Sequence, residues 1–73
     1  MEMKYGFTLK DFNEKNFEYA KQSLEKNHVS MRMLITRPES PMKEKRARLL
    51  RQHIEMYEWY LAVYPQVIES IDN

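Results

Sequence analysis

The apolar residues in the second half of the chain repeat with the period of an α-helix. Seven positions form a regular seam: Leu50, His53, Tyr57, Tyr60, Tyr64, Val67 and Ile71. Their alternating spacings of three and four residues are typical of helices that pack along a common line. Four more apolar residues widen the seam into a face suited to a helical bundle: Leu49, Ile54, Leu61 and Ile68. The pattern predicts a second helical region over 42–72.

Two prolines bear on this second region. Ser40 followed by Pro41 is a favourable helix start, because serine caps a helix N-terminus and proline suits the first helical position. Pro65 lies inside the pattern, where a proline removes a backbone hydrogen bond and clashes with the preceding turn. We therefore expect the helix to be kinked or broken near Pro65.

The first half of the chain carries a broader apolar stripe at helical spacing. Its members are Leu9, Phe12, Phe17, Ala20, Leu24, Met31, Leu34 and Ile35. Thr8 and Asp11 match the capping-box pattern of a helix N-terminus, and Asp11 with Glu14 offers a start one turn later. The stripe predicts a first helical region over 8–36.

Two residues of this region, Val29 and Met33, do not fit the stripe. The segment VSMRMLIT at 29–36 alternates apolar and polar residues as a strand does, and so does MKYGFTL at 3–9. An α+β fold with β-α-β-α order is therefore the alternative. We favour the helix, because the apolar stripe continues to Ile35.

The segment TRPESPM separates the two regions. Its prolines bias the residues before them away from helix, so 37–41 is predicted to be a turn and 1–7 an N-terminal arm. Two amphipathic helices joined by a short turn make an antiparallel hairpin. The expected fold is a single all-α domain over 1–73.

The chain is short for a domain that stands alone. A single core in 73 residues rarely contributes more than about 3–5 kcal/mol, and the absence of cysteine removes disulfides as a supplement. A lone hairpin also covers only one side of each wide stripe. We therefore expect two hairpins to pair as a homodimeric four-helix bundle, with a compact monomeric bundle of three or four helices as the next choice.

Charge is distributed unevenly, although the formal net charge is only +1. Residues 37–53 hold six Lys or Arg and two Glu, a balance of +4, whereas residues 54–73 hold four acids and no Lys or Arg, a balance of −4. The helix macrodipole favours the opposite order. Either the charges orient an antiparallel dimer, or the basic stretch is a surface for phosphate or for an acidic partner.

The second explanation supplies the candidate contact residues for nucleic acid or an acidic partner. They are Lys43, Lys45, Arg46, Arg48 and Arg51. A helical wheel directs Lys43, Lys45 and Arg48 away from the seam, so these three are predicted to be solvated. Arg46 lies in line with the seam, and its methylene groups are expected to cover the end of it.

Trp59 is predicted to differ from its aromatic neighbours. Tyr57, Tyr60 and Tyr64 lie on the seam and are expected in the core or in an interface, whereas Trp59 lies on the opposite face. Exposed tryptophans are enriched at binding hot spots, so Trp59 is the candidate protein-interaction residue. It could instead cover the turn or the N-terminal arm, and the cluster could stack on unpaired bases.

The sequence offers little for catalysis, metals or cofactors. Glu25 and His28 form one Glu-x-x-His pair, but no inward-facing glutamate on the second helix completes a metal site. His53 lies on the seam, where a hydrogen-bonded packing role is expected. With no cysteine and a single glycine, a thiol nucleophile and a glycine-rich phosphate loop are excluded. We expect a non-enzymatic protein without catalytic residues, metal or cofactor.

These expectations combine into a hypothesis of function. The protein is expected to be a small regulatory or adaptor protein that binds another macromolecule, in the first place a protein, through the surface of its helical bundle. The alternative is a nucleic-acid-binding module that contacts phosphates through 43–51. We expect a cytoplasmic protein with no membrane partner, because no apolar run reaches the length of a membrane span.

Overall fold

Two long α-helices account for most of residues 3–72, the part of the chain that the computed structural model describes. Helix α1 spans Glu14–Ile35 and helix α2 spans Pro41–Asp72, with a one-turn 3₁₀ helix at Leu9–Asp11 before them. The two α-helices pack against each other across the short connection as an antiparallel hairpin. The predicted all-helical fold is confirmed.

The strand alternative is wrong, since residues 3–72 contain no strand. The segment that alternates apolar and polar residues is the last part of α1, which ends at Ile35 with Thr36 as its C-cap. Val29 and Met33 fail to fit the apolar stripe because both lie on the exposed side of this helix.

The hairpin is a thin rod of 51 × 20 × 15 Å. Its length is that of α2, because 32 helical residues at a rise of about 1.5 Å each span roughly 48 Å. The radius of gyration is 14.8 Å, whereas a compact domain of this length has about 11 Å. A rod only two helices wide can cover few side chains completely.

One heptad seam joins the helices along the rod. On α1 the seam consists of six buried or half-buried residues: Phe17, Ala20, Leu24, Asn27, Met31 and Leu34. On α2 it consists of seven half-buried residues: Ala47, Leu50, Ile54, Tyr57, Leu61, Tyr64 and Ile68. Both lists alternate in steps of three and four residues, as in helices packed by knobs into holes. We call the half of the rod near residues 36–40 the turn half, and the other half the terminal half.

The seam predicted on α2 combines residues of two adjacent stripes and is only partly covered. Leu50, Tyr57 and Tyr64 belong to the seam described above, whereas His53, Tyr60 and Val67 belong to the stripe beside it. Tyr60 and Val67 are buried, but His53 is exposed and Ile71 is 50 % exposed. Spacing alone cannot separate two adjacent stripes of one wide apolar face. The structure separates them, because α1 covers one stripe and the N-terminal segment covers part of the other.

The core of the molecule is an aromatic cluster in the terminal half. Its buried members are Phe12, Ala20, Tyr60 and Val67. The Phe12 and Tyr60 rings stack with centroids 4.7 Å apart, and the Tyr60 hydroxyl donates to the Asp11 carbonyl oxygen at 2.7 Å. Burial raises the pKa of Tyr60 above its ordinary value, so the hydroxyl keeps its proton and this hydrogen bond.

The N-terminal arm folds back onto α2. The Phe7 ring lies nearly parallel to that of Trp59 at 5.8 Å and packs beside Tyr60 at 5.1 Å. A tight turn shapes the arm, with the Phe7 N–H donating to the Lys4 carbonyl at 3.1 Å. Tyr5 and Gly6 at the centre of this turn both have positive φ (59° and 80°), as a type I′ turn requires.

The predicted first helical region contains two helices rather than one. The Thr8–Asp11 capping box is present, with the Thr8 N–H donating to Asp11 Oδ2 at 2.7 Å, but it opens the 3₁₀ turn. The chain then leaves the helical conformation at Phe12, whose ring enters the core. Helix α1 starts afresh after Asn13, whose side chain accepts from the Asn16 N–H at 2.9 Å.

Helix α2 begins where the sequence indicates and continues past its proline. The Lys43 N–H donates to Ser40 Oγ at 3.1 Å, so Ser40 is the N-cap before Pro41. Pro65 lies within a helix that continues to Asp72, so the chain is not broken there. Its ring nitrogen carries no hydrogen, which leaves the Leu61 carbonyl without that backbone donor.

Replacing Phe12 by alanine is expected to remove most of the stability of the fold. Phenylalanine-to-alanine changes in a core lower the free energy of unfolding by about 3–5 kcal/mol, which is about what a single small core supplies. Leu9→Ala is the matched control, because Leu9 is 57 % exposed in the preceding turn. Urea unfolding followed by far-UV circular dichroism checks this, and equal effects of the two changes would contradict the assignment of the core.

Candidate interaction surface

Trp59, the predicted protein-interaction residue, is half-buried under the N-terminal arm. Its ring stacks on Phe7 and meets Tyr5 edge-on at 5.8 Å, and Phe12 lies at 6.3 Å. The expected exposure of Trp59 is therefore corrected. The helical wheel placed it opposite the seam, but the arm covers that side of α2, in line with the alternative that Trp59 supports the arm.

Lys43, the first of the predicted basic contact residues, is directed back to the end of α1 instead of into solvent. Its side chain is only 13 % exposed. Its Nζ donates to the Arg37 carbonyl and to Glu39 Oε1, both at 2.8 Å, and to the Ile35 carbonyl at 3.4 Å. The last carbonyls of a helix lack backbone partners and carry partial negative charge, so an ammonium group is favourable there.

Because Lys43 makes these contacts and Lys45 is exposed, removing the ammonium group should lower the stability of the fold at Lys43 but not at Lys45. Lys43→Met keeps most of the side-chain length but removes the three donors, and it should lower the free energy of unfolding by about 1–2 kcal/mol. Lys45→Met should change that free energy by less than about 0.5 kcal/mol, because Lys45 is exposed. Urea unfolding of both variants decides the matter, and a Lys43→Met variant as stable as the parent would rule out the capping role.

The other four predicted basic residues are exposed, but only two of them line a depression beside the turn. They are Lys45, Arg46, Arg48 and Arg51. Lys45 and Arg46 line this depression, whereas Arg48 and Arg51 do not. Of the five predicted contact residues, the structure therefore brings two to the edge of a concave site and assigns Lys43 to the helix end.

This depression is a groove between the two helices in the turn half. We call it the turn groove and define it by Met33, Leu34, Arg37, Met42, Arg46 and Leu49. Its larger part has a volume of about 770 Å³ and continues into a smaller part of about 230 Å³. Leu34 is buried between the helices at this site, whereas the side chains of Met42 and Leu49 are 75 % and 49 % exposed.

The α2 side of the turn groove is formed by the uncovered half of a second seam on this helix. This seam runs through Met42, Arg46, Leu49, His53, Met56, Tyr60, Val63 and Val67, again in steps of four and three. Its last four members are buried or half-buried in the terminal half, and its first four are all exposed. His53 is thus not the packed residue that the sequence predicts, because among residues 3–72 no third element lies over it.

On the side of the rod that holds the turn groove, positions in one half correspond to positions in the other half. In the terminal half, the depression beside the arm is lined by Asn16, Tyr19, Ala20 and Tyr60, among others. In the turn half, the groove is lined by Ser30, Met33, Leu34 and Arg46. Each of these lies fourteen residues, or two heptads, from its counterpart. The arm lines the first site with Tyr5 and Phe7 and leaves a depression of about 240 Å³ there, whereas no residue of the arm lines the second site.

The open half is also the basic half. Residues 25–53 hold eight Lys or Arg and three Glu, a balance of +5, whereas residues 54–73 have a balance of −4 and residues 1–24 are neutral. The rod is 51 Å long, and charges in physiological salt are screened over about 8 Å, so the two ends act separately.

The histidine and glutamate candidates do not converge on a site. His28 Nε2 lies 4.0 Å from Glu58 Oε1, and both side chains are more than half exposed, so this pair contributes little. Within the described part of the chain, no three His, Cys, Asp or Glu side chains are grouped to hold a metal ion. Nor is any helix in residues 3–72 long and apolar enough to cross a membrane.

Sequence reasoning missed the role of Met33 and Met42. The signal that could have found Met42 is the seven-residue spacing of Met42, Leu49, Met56 and Val63, which marks one line of a heptad seam. Comparison with protein-family models, curated proteins and solved structures gave no significant match to this chain.

Proposed function

We propose that this chain is a non-enzymatic regulatory or adaptor protein that acts by docking another protein in the turn groove. The observation that carries the proposal is the groove itself, which combines a buried leucine and exposed apolar side chains with two arginines and a lysine at its edge. Concave sites of this composition are typical of protein and ligand contact.

The distribution of exposed apolar side chains supports this function. Of the nine large ones in residues 3–72, five lie within 29–49, and three of these, Met33, Met42 and Leu49, line the turn groove. Exposed apolar side chains that gather in one region mark contact surfaces, whereas scattered ones need no explanation. The basic residues around them would orient a partner of opposite charge and speed its association.

Nucleic-acid binding is the second candidate function. It is supported by the exposure of Lys45, Arg46, Arg48 and Arg51 and by the +5 balance of residues 25–53. It ranks second because phosphate gains nothing from the exposed apolar side chains of the turn groove.

The homodimer predicted from the sequence stays a prediction. Pairing would relieve the small size of the core, and it is compatible with the proposed function only if it leaves the turn groove open. We keep it as a property to be measured on the same samples, by sedimentation.

A photo-crosslinking pair tests the proposed function. A benzophenone amino acid replaces Met42 in one variant and Ile71 in the other, so that both probes are exposed positions of α2 at opposite ends. In cells of the source organism, the variant at 42 should give a discrete protein adduct that Arg46→Glu abolishes, and the variant at 71 should not.

Two results would contradict the proposal. One is the absence of any adduct at 42, or identical adducts at both positions. The other is tight binding of labelled DNA or RNA that weakens steeply as salt rises and is lost on charge reversal at Arg48, which would move nucleic acid to first place.

A further inference from the structure

We infer that the turn groove accepts an acidic amphipathic helix of the partner protein. This inference rests on the proposed function and goes further, because it fixes the chemistry and the conformation of the docked segment. It is carried by three observations: the aromatic side chains that pack at the equivalent positions of the terminal half, the composition of the groove, and the charge around it.

The terminal half shows which side chains pack at this side of the hairpin. There the Phe12 ring stacks on Tyr60 and Phe7 packs beside it, so apolar rings occupy the space above the two helices. The same positions two heptads away are open and lie around Leu34 and Arg46. A segment with apolar side chains at helical spacing would extend the layer that the arm begins, in the manner of helix-in-groove recognition.

The composition of the groove suits a helix with apolar anchors. Two of its exposed residues, Met33 and Met42, are methionines, whose flexible thioether side chains adapt to the shape of an incoming group. Leu49 provides a third apolar contact. The groove thus offers three exposed apolar side chains for contact with an incoming helix.

The charge around the groove requires an acidic segment. Arg37, Lys45 and Arg46 line the groove and make no ion pair with any of residues 3–72. Lys43 is already paired with Glu39 and the end of α1. Carboxylates beside the apolar anchors would pair with the three remaining cations, and a basic helix would be repelled.

A second copy of this chain fits less well in either orientation. Overlap of two turn halves would supply apolar groups but would set +5 against +5. Overlap of a turn half with a terminal half would match the charges, but the exposed acids Glu55, Glu58 and Glu69 share one face of α2 with Ala62, Pro65 and Gln66, whereas the exposed Ile71 lies on the opposite side of the helix. That acidic face carries no large apolar anchor.

The concave shape distinguishes this partner from a membrane surface. A bilayer offers a flat boundary to apolar and basic side chains, whereas Leu34 lies between two helices and is 5 % exposed. Only a narrow element such as a helix reaches side chains into that space. We therefore name an acidic helix, and treat vesicles as a competing outcome of the test.

The experiment uses designed peptides and the full chain. The probe is a peptide of about 18 residues, with Leu at spacings of three and four on one helical face and Glu and Ala elsewhere. Three control peptides separate the effects of charge and of the apolar pattern. They are the same peptide with Lys for Glu, the same residues in a non-amphipathic order, and polyglutamate. Phosphatidylserine vesicles and a single-stranded DNA oligonucleotide are titrated in parallel.

The acidic amphipathic peptide should bind at least about tenfold more tightly than any control, and its affinity should fall as salt rises. Amide chemical shifts of the labelled protein should change around Met33, Leu34 and Leu49. Leu49→Ser should weaken binding about tenfold, whereas Ile71→Ser, at an equally exposed position, should not. Arg46→Glu should weaken it, and Lys15→Glu on the terminal half of α1 should not.

Equal binding of the acidic and basic peptides, preference for vesicles or DNA, shifts confined to the terminal half, or no peptide binding at all would each overturn the inference. A protein adduct at position 42 together with no peptide binding would leave the proposed function standing and remove only the acidic helix. Displacement of the peptide by self-association would identify the second copy as the occupant instead.

Discussion

The structure depends on the closure of the N-terminal segment over α2. Phe12 stacks on Tyr60 while the Tyr60 hydroxyl holds the Asp11 carbonyl, and together these contacts fix the arm to one end of a long hairpin. Two helices alone bury little, because each covers only one side of the other. The third layer made by the arm turns one end of the rod into a core with fully buried side chains.

The other end has no such layer within residues 3–72, and its properties follow from that. The same heptad seam of α2 that is covered at Tyr60 and Val67 is open at Met42 and Leu49. The apolar residues exposed there continue the same heptad spacing as the buried residues of the core. The rod therefore has one end with a covered core and one end whose apolar seam is exposed.

The basic N-terminal half of α2 also acquires a physical explanation. Viewed on α2 alone, the charges oppose the helix macrodipole. In the hairpin, however, the start of α2 lies beside the C-terminal end of α1, where positive charge is favourable, and Lys43 makes direct contacts with that end. Part of the positive charge is thus structural, whereas Arg37, Lys45 and Arg46 at the turn groove make no ion pair with any of residues 3–72.

The sequence predicts the two helices well because their signals are local. The Ser40 cap, the Thr8–Asp11 box and the apolar spacing each act within a few residues, and each is present in the structure. Local signals do not predict three other features. These are the interruption of the helix before Asn13, the packing of the arm over Trp59, and the hydrogen bonds of Lys43 near the end of α1. They depend on contacts across the fold, which no helical wheel of one element contains. The apolar stripe around His53 predicts that this residue is packed. It is exposed instead, because the N-terminal segment does not extend over it.

Native-state amide hydrogen exchange tests most directly whether the terminal half of the rod is a core and the turn half is only loosely covered. Amides of residues 56–68 should exchange only through global unfolding, whereas those of residues 44–50 on the same helix should exchange faster, through local opening that leaves the terminal half intact. Equal protection along the whole of α2, or stronger protection in the turn half, would contradict the account.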